Sequence, residues 1–334
     1  MAGGTGGHIF PALSIAKELS KRGAIVEWLG GRNSMESHLV PRYKIKFNGV
    51  FTSGIRGKKL ITIIRALFLL GFGFIQTVIV FIKYRPNVVI GMGGYATGVG
   101  GLIAKIFFVP LFLHEQNTIP GSTNKLLSKI STLNFQAFEN SFSKEVNAIT
   151  TGNPILFEPN SKKAVSEVKN LLVLGGSLGA KKINEVIPHI KTPVNIWHQT
   201  GKSHFDEVKA LYSKSDHHQV KLDPFISNMS EAYAWADLVV CRAGAMTVSE
   251  LIATKTIAIL IPFPYAIDNH QTVNAQYLTK KEAGIIIDEQ NLTPEALDKQ
   301  ISQLDSEKLK EMSKNLGSLK VQYPERLIAD YLLN

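Results

Sequence analysis

Ala2-Gly3-Gly4-Thr5-Gly6-Gly7-His8-Ile9-Phe10-Pro11 opens the sequence and leads into Ala12, Leu13, Ile15, Ala16 and Leu19, whose spacing predicts a helix. Four glycines around a threonine let the backbone turn tightly and leave its N–H groups uncovered. Such a turn at a helix N-terminus suits an anion, because unpaired N–H groups and the helix dipole point the same way. Glycine count alone leaves that reading level with a plain tight turn carrying a surface histidine, His8. Two familiar phosphate motifs fail. Gly7 is followed by His8-Ile9 and not by Lys-Ser/Thr, which argues against a P-loop. Ile9 stands where a dinucleotide fingerprint wants a third small residue, and the next predicted strand, Ile25 to Leu29, ends in Gly30-Gly31-Arg32 without an acid for a ribose. What remains is a Rossmann-like anion loop without the nicotinamide signature. Loops of this kind follow a buried strand, and only Met1 precedes Ala2, so the first sheet is expected to lack its first strand.

With 334 residues, 45% of them hydrophobic, the chain can build two domains with full cores. A single cysteine, Cys241, excludes a disulfide framework and a cysteine-rich metal site, and the glycine loop takes the place a signal peptide would need. The net charge of +10 is unevenly spread: residues 1–152 hold 17 Lys and Arg against 6 Glu and no Asp, and the rest holds 20 against 21. A polyanionic partner is therefore expected for the first half only, nucleic acid or an anionic membrane surface. The apolar run Ala66 to Ile82 decides between them. It is preceded by Lys58, Lys59 and Arg65 and followed by Lys83 and Arg85. As a helix it spans about 25 Å against a bilayer core of about 30 Å, so it is expected to dip into one leaflet; a buried core helix is the plainer alternative and a full span the third. Aromatics interleaved with basic residues are not found, so no nucleic acid is expected.

Along the chain, Gly30 to Lys59 reads as a polar, basic loop. Val88 to Ile90 and Leu111 to Leu113 read as strands that end in Gly91-Met92-Gly93-Gly94-Tyr95 and His114-Glu115-Gln116-Asn117, polar or glycine-rich groups at strand C-termini, where open α/β sheets bind ligands. Leu133 to Phe135 and Asn147 to Thr151 carry the series to a turn-rich break at Thr151-Gly152-Asn153-Pro154. The pattern then restarts with a strand at Asn170 to Leu174, a glycine turn Gly175-Gly176-Ser177-Leu178-Gly179-Ala180 and a helix from Lys181 to Ile190. Further strands are predicted at 194–198, 220–222, 238–241 and 257–261, and further helices at 228–236, 248–253, 269–281 and 324–333. The fold class is α/β: two Rossmann-like doubly wound domains facing a cleft, at 1–152 and 153–318, with a terminal helix in 319–334 that packs back on the first.

Six motifs, in order, carry a resemblance: Gly3-Gly4-Thr5-Gly6-Gly7-His8, Gly91-Met92-Gly93-Gly94-Tyr95, His114-Glu115-Gln116-Asn117, Gly175-Gly176-Ser177, Cys241-Arg242-Ala243-Gly244-Ala245 through Glu250, and Asp268-Asn269-His270-Gln271 with Asn274. Each is weak alone. Together they span the chain, which resembles the GT-B type glycosyltransferases and, within them, the N-acetylglucosaminyltransferase family that converts lipid I to lipid II in peptidoglycan synthesis. The resemblance implies that Glu250 holds the UDP ribose, that Ala245, Met246 and Thr247 supply backbone contacts continued by Val248 and Ser249, and that Ser177 meets the donor phosphates. It implies also that Ile226, beside Phe225, reads the uracil edge through its backbone, and that Gln271 with His270 meets the sugar hydroxyls. Asn117 would reach the N-acetylglucosamine, and Thr5, Gly6 and Gly7 would cradle a phosphate of donor or acceptor. Plainer roles stand beside these: Thr247 and Glu250 fit a capping box, the reading the sequence alone favours, and Ser177 fits an ordinary N-cap. One departure stands out. The family continues Gly-Asn-Pro-Val-Arg where this chain has Gly152-Asn153-Pro154-Ile155-Leu156, which removes a cation near the diphosphate unless Lys181 or Lys182 replaces it.

The implied chemistry is an inverting displacement in which the 4-hydroxyl of the muramoyl sugar of lipid I attacks C1 of UDP-N-acetylglucosamine. His8 is the candidate base and Glu115 the reserve, with a structural carboxylate paired to a nearby Arg or Lys as the plainer role of the latter. Helix N-termini at Ser177 and Thr247 would stabilise the departing UDP. No Asp-x-Asp signature occurs, so neither a catalytic metal nor a cofactor is expected. The expected location is the cytoplasmic face of the bacterial membrane, peripherally, with UDP-N-acetylglucosamine, lipid I, the anionic surface and other cell-wall synthesis proteins as partners. A UDP-N-acetylglucosamine 2-epimerase and a non-catalytic nucleotide-sugar binder at the membrane are the rival readings.

Overall fold

The computed structural model describes residues 1–51, 60–160, 165–176, 178–215, 219–266 and 269–334, with the backbone alone over 60–68. Its first unit comprises Met1–Leu156 with Val321–Asn334, and its second Phe157–Lys320. In the first unit α1 (Gly6–Lys21) leads to β1 (Glu27–Gly31), α2 (Met35–Leu39), β2 (Lys46–Val50) and α3 (Leu60–Tyr84). There follow β3 (Val89–Gly91), α4 (Tyr95–Ile106), β4 (Leu111–Glu115), α5 (Ser122–Leu127), β5 (Leu133–Gln136) and β6 (Ile149–Thr150). Every pairing is parallel, β3-β4-β5-β6 in one sheet and β1-β2 in another.

Met1 and Ala2 bond to both halves of this unit. The Met1 nitrogen donates to the Ile90 carbonyl at 2.7 Å, the Met1 carbonyl accepts from Met92 N at 2.9 Å, and the Ala2 carbonyl accepts from Trp28 Nε1 at 3.0 Å. Met1 thus pairs through its backbone with the residues at the end of β3. Ile9, Leu13 and Ile15 of α1 pack with Ala2, Trp28, Met92 and Phe135 into the core.

The stretch expected as a basic loop from Gly30 to Lys59 instead holds the end of β1, α2 and β2. Its polarity has a physical reason: β2 is an edge strand, and an edge tolerates Lys46 and Asn48 because one side faces water. Lys46 Nζ lies 4.4 Å from the Tyr84 ring centroid, and Asn48 Nδ2 donates to Glu27 Oε2 at 2.9 Å.

In the second unit the elements are β7 (Asn170–Leu174), α6 (Lys181–Val186), β8 (Asn195–Gln199), α7 (Phe205–Tyr212), β9 (Val220–Asp223), α8 (Met229–Trp235) and β10 (Leu238–Cys241). They continue as α9 (Ala245–Thr254), β11 (Ile257–Leu260), α10 (His270–Thr279), β12 (Ile285–Ile286), α11 (Pro294–Ser302) and α12 (Ser306–Ser318). The strands lie in the order β12-β11-β10-β7-β8-β9, all parallel. The order in which strands are added reverses between β7 and β10, the switch point where doubly wound sheets open a crevice at their C-terminal ends. β10 and β11 are wholly buried apolar runs, as strands covered on both faces must be. α6 is shorter than the expected helix because Pro188 tightens its end into a 3-10 turn over Ile187–His189.

The last helix, α13 (Pro324–Leu333), belongs to the first unit. Its Ile328 and Leu332 enter the core around α1, Tyr331 meets Phe135 at 5.5 Å between ring centroids, and Arg22, which caps the end of α1, pairs with Asp330.

Candidate active site

Thr5 is extended (φ −139°) and its carbonyl takes the first turn of α1, accepting from His8 N at 3.1 Å and Ile9 N at 3.2 Å. The N–H groups of Gly6 and Gly7 begin the helix, where no preceding turn supplies an acceptor. His8 is half-buried, and its Nδ1 lies 3.1 Å from the Gly3 carbonyl. A carbonyl can only accept, so that bond puts the proton on Nδ1 and leaves Nε2 as the basic nitrogen. Nε2 borders the second glycine turn, 3.1 Å from where a Cβ on Gly93 would stand. Gly94 (φ +83°) lets that turn close on the first, since a Cβ there would lie 2.6 Å from the Gly3 carbonyl.

The His114-Glu115-Gln116-Asn117 run is built inward. His114 is fully buried, donates through Nε2 to the Gly152 carbonyl at 3.0 Å and accepts at Nδ1 from Gln116 Nε2 at 3.0 Å. Burial pulls its pKa down to about 4, against the Gly152 hydrogen bond, so it stays neutral. Glu115 is also buried. Its Oε1 accepts from Asn117 N at 3.0 Å and Asn117 Nδ2 at 3.1 Å, and its Oε2 from Gly121 N at 3.1 Å and Asn124 Nδ2 at 2.8 Å. Among the described residues, backbone and amide donors, not an Arg or Lys, hold this carboxylate. Leu156 packs against the core of its unit.

In the second unit the loops after β7 and β10 flank the switch point. Gly176 accepts at its carbonyl from Gly179 N at 3.0 Å and Gln199 Nε2 at 2.9 Å, while Gln199 Oε1 accepts from Ile226 N at 3.1 Å. One glutamine at the end of β8 thereby ties the glycine turn to Ile226. Ser177 lies outside the described residues, as does Asp268; α6 begins at Lys181. Lys181 is exposed and sits 3.8 Å from Glu185.

α9 starts at Ala245 with Gly244 as its N-cap and no acid in its first turn. This corrects the capping-box reading: Thr247 is already inside the helix, and Glu250 accepts from the Tyr233 hydroxyl at 2.9 Å. Burial raises the Glu250 pKa to about 7, with the Tyr233 hydrogen bond opposing it. Ser249 Oγ donates to the Ala245 carbonyl at 2.9 Å, and Val248 is buried, so these two shape the helix while Ala245, Met246 and Thr247 present its first N–H groups. Gln271 Oε1 accepts from Ala243 N at 3.2 Å and Phe263 N at 3.0 Å, which turns its amide nitrogen away from them. Arg242 reinforces the same corner. Its Nη1 donates to the Ile261 carbonyl at 3.2 Å, its guanidinium lies over Phe263, and it pairs with Glu289. Gln199, Tyr233 and the Arg242–Glu289 pair are absent from the sequence reading; position at a strand C-terminus was the signal available for Gln199 and Arg242.

Residues 1–135 match the Glycosyltransferase family 28 N-terminal domain and residues 170–327 its C-terminal domain. The UDP-N-acetylglucosamine--N-acetylmuramyl-(pentapeptide) pyrophosphoryl-undecaprenol N-acetylglucosamine transferase of Vesicomyosocius okutanii is 50% identical, over all of this chain and 96% of its own length. The chain belongs to glycosyltransferase family 28. A family 28 relative of the same name from Methylococcus capsulatus is 44% identical over 87% of this chain and 84% of its own. Among solved structures, MurG of Acinetobacter baumannii superposes with a TM-score of 0.84 at 33% identity, covering 100% of this chain and 98% of that one. A UDP-GlcNAc 2-epimerase from Neisseria meningitidis reaches 0.67 at 14% identity, covering 97% of this chain and 96% of that one, a likeness of fold alone. The two Rossmann-like units are thus those of a family 28 glycosyltransferase.

Proposed function

We propose that the chain transfers N-acetylglucosamine from UDP-N-acetylglucosamine to the 4-hydroxyl of the muramoyl sugar of lipid I, an undecaprenyl-pyrophosphoryl muramoyl-peptide, with inversion at C1. The observation that carries the reading is His8, anchored through Nδ1 so that Nε2 is the base beside two glycine turns. Nε2 takes the hydroxyl proton as the oxygen bonds to C1 and the bond from C1 to the UDP oxygen breaks. Negative charge grows on the leaving diphosphate, and the N-terminal N–H groups of α9 at Ala245, Met246 and Thr247, with Ser177, meet it. Thr5, Gly6 and Gly7 cradle a phosphate at the start of α1.

Glu250 receives the ribose hydroxyls on the carboxylate that Tyr233 steadies. Ile226 meets the uracil through its carbonyl, because its N–H is bound to Gln199. Gln271 offers its amide nitrogen to the sugar. Glu115 gives up the reserve role of base: four donors occupy its oxygens, and its task is to hold Asn117 toward the N-acetylglucosamine. Residues 1–152 form the acceptor and membrane-associating domain, 153–318 the UDP-sugar domain. The protein acts peripherally at the cytoplasmic membrane face, where α3 rests on anionic lipid.

Labelled UDP-N-acetylglucosamine incubated with a lipid I analogue tests this. Label in the lipid phase is expected; label in free UDP-N-acetylmannosamine would mark an epimerase, and no turnover a binder. His8→Ala should lower kcat by about 100-fold or more with UDP affinity little changed, and normal turnover would remove His8 from the mechanism.

A further inference from the structure

We infer that Glu36 is a positioning residue for His8 that acts through a single peptide group. Glu36 lies on α2, is 1% exposed, and makes two backbone bonds: Oε1 accepts from Gly31 N at 2.9 Å and Oε2 from Gly4 N at 3.3 Å. The N–H of Gly4 and the carbonyl of Gly3 are the two ends of one peptide plane, and that carbonyl is the acceptor for His8 Nδ1 at 3.1 Å. Carboxylate, amide and imidazole therefore form one line of hydrogen bonds. A peptide group is conjugated, so a carboxylate at its N–H pushes electron density toward its oxygen and makes that oxygen a better acceptor.

Glycine at position 3 is what allows the approach, because a Cβ there would run into Glu36 Oε1. Near the ring, the first turn of α1 has no acid and the Met92–Gly94 turn carries no charge. The inference rests on the reading of His8 as base. When Nε2 accepts the hydroxyl proton, the Nδ1 proton stays on the ring and its bond to Gly3 strengthens; no proton passes to Glu36. The carboxylate orients the ring, selects the tautomer with a basic Nε2, and stabilises the positive imidazolium at a distance.

Glu36→Gln tests it, measured in the parent and in a His8→Ala background, with the NMR resonance of the His8 Nδ1 proton as a second readout. Loss of the carboxylate should move that resonance upfield and lower kcat about tenfold, the scale of weakening one charge-assisted bond. KM for UDP-N-acetylglucosamine should stay within about twofold, and kcat should fall no further in the His8→Ala background. Glu36→Asp, which keeps the charge, should lie nearer the parent than Glu36→Gln in both readouts. An unmoved Nδ1 proton with equal losses of kcat in the two backgrounds would reduce Glu36 to a structural tie and overturn the relay. Failure of the base itself looks different: His8→Ala would then turn over normally while the Nδ1 resonance still responded to Glu36→Gln.

Discussion

In the proposed reading, Glu250 is the residue on which donor binding and pH meet. Burial raises its pKa to about 7 and the Tyr233 hydroxyl works against that shift. Ribose hydroxyls donate hydrogen bonds, so a donor held there as proposed would favour the ionised carboxylate and would have to displace a proton below pH 7. KM for UDP-N-acetylglucosamine is therefore expected to rise as pH falls from 8 to 6 and to level off above 8; in Glu250→Gln a kinetic pH profile should show this dependence flattened. The glutamate was legible by resemblance, while its partner was not: Tyr233 arrives from α8, and no local spacing links the two. Glu36 was hidden for another reason. It is an acid inside a basic stretch that offers little apolar periodicity, and its value comes from burial against Gly4 and Gly31, which only the folded chain creates. His114 shows the reverse, a reactive-looking residue that burial keeps neutral.

At the scale of elements, α3 runs 25 residues, about 37 Å, longer than the Ala66 to Ile82 expectation. Gly73, Thr77 and Phe81 form its buried stripe, and Phe72, Ile75, Ile79 and Ile82 are each more than half exposed. Exposed Ile106, Phe107 and Phe108 follow at the end of α4, which packs on α3 through Phe81 and Phe107, 5.8 Å apart. Among the described residues no helix is long and apolar enough to cross a membrane, and Lys58 and Lys59 lie outside them. An apolar stripe of that kind beside Lys83, Arg85 and Lys105 fits a surface helix on anionic lipid. Ile75→Asp with Ile79→Asp should reduce sedimentation with phosphatidylglycerol vesicles at least about tenfold, and salt should weaken parent binding, while turnover of a soluble acceptor analogue is retained. Elements with a strong apolar signal were legible, the continuous run Asn170–Leu174 and the helical spacing of Pro324–Leu333 among them; β2 was not, because an edge strand has little need of an apolar pattern.

For the molecule as a whole, all of the net charge resides in one unit: 18 Lys and Arg against 8 Asp and Glu in Met1–Leu156 with Val321–Asn334, and 19 against 19 in Phe157–Lys320. The strand order of the second unit was beyond sequence reading, since similar apolar runs pair equally well until helices fix the crossovers. Ending the chain at Lys320 strips Ile328 and Leu332 from the first core, a loss of at least about 4 kcal/mol. Hydrogen exchange should then quicken across α1 and the strands of that unit and leave β7 to β12 unchanged; equal quickening in both would contradict the division. The return of α13 to the first unit also sets a schedule for biosynthesis. A ribosome making this chain releases everything the second unit needs before it releases the helix that completes the first, so the half begun earliest is the half finished last.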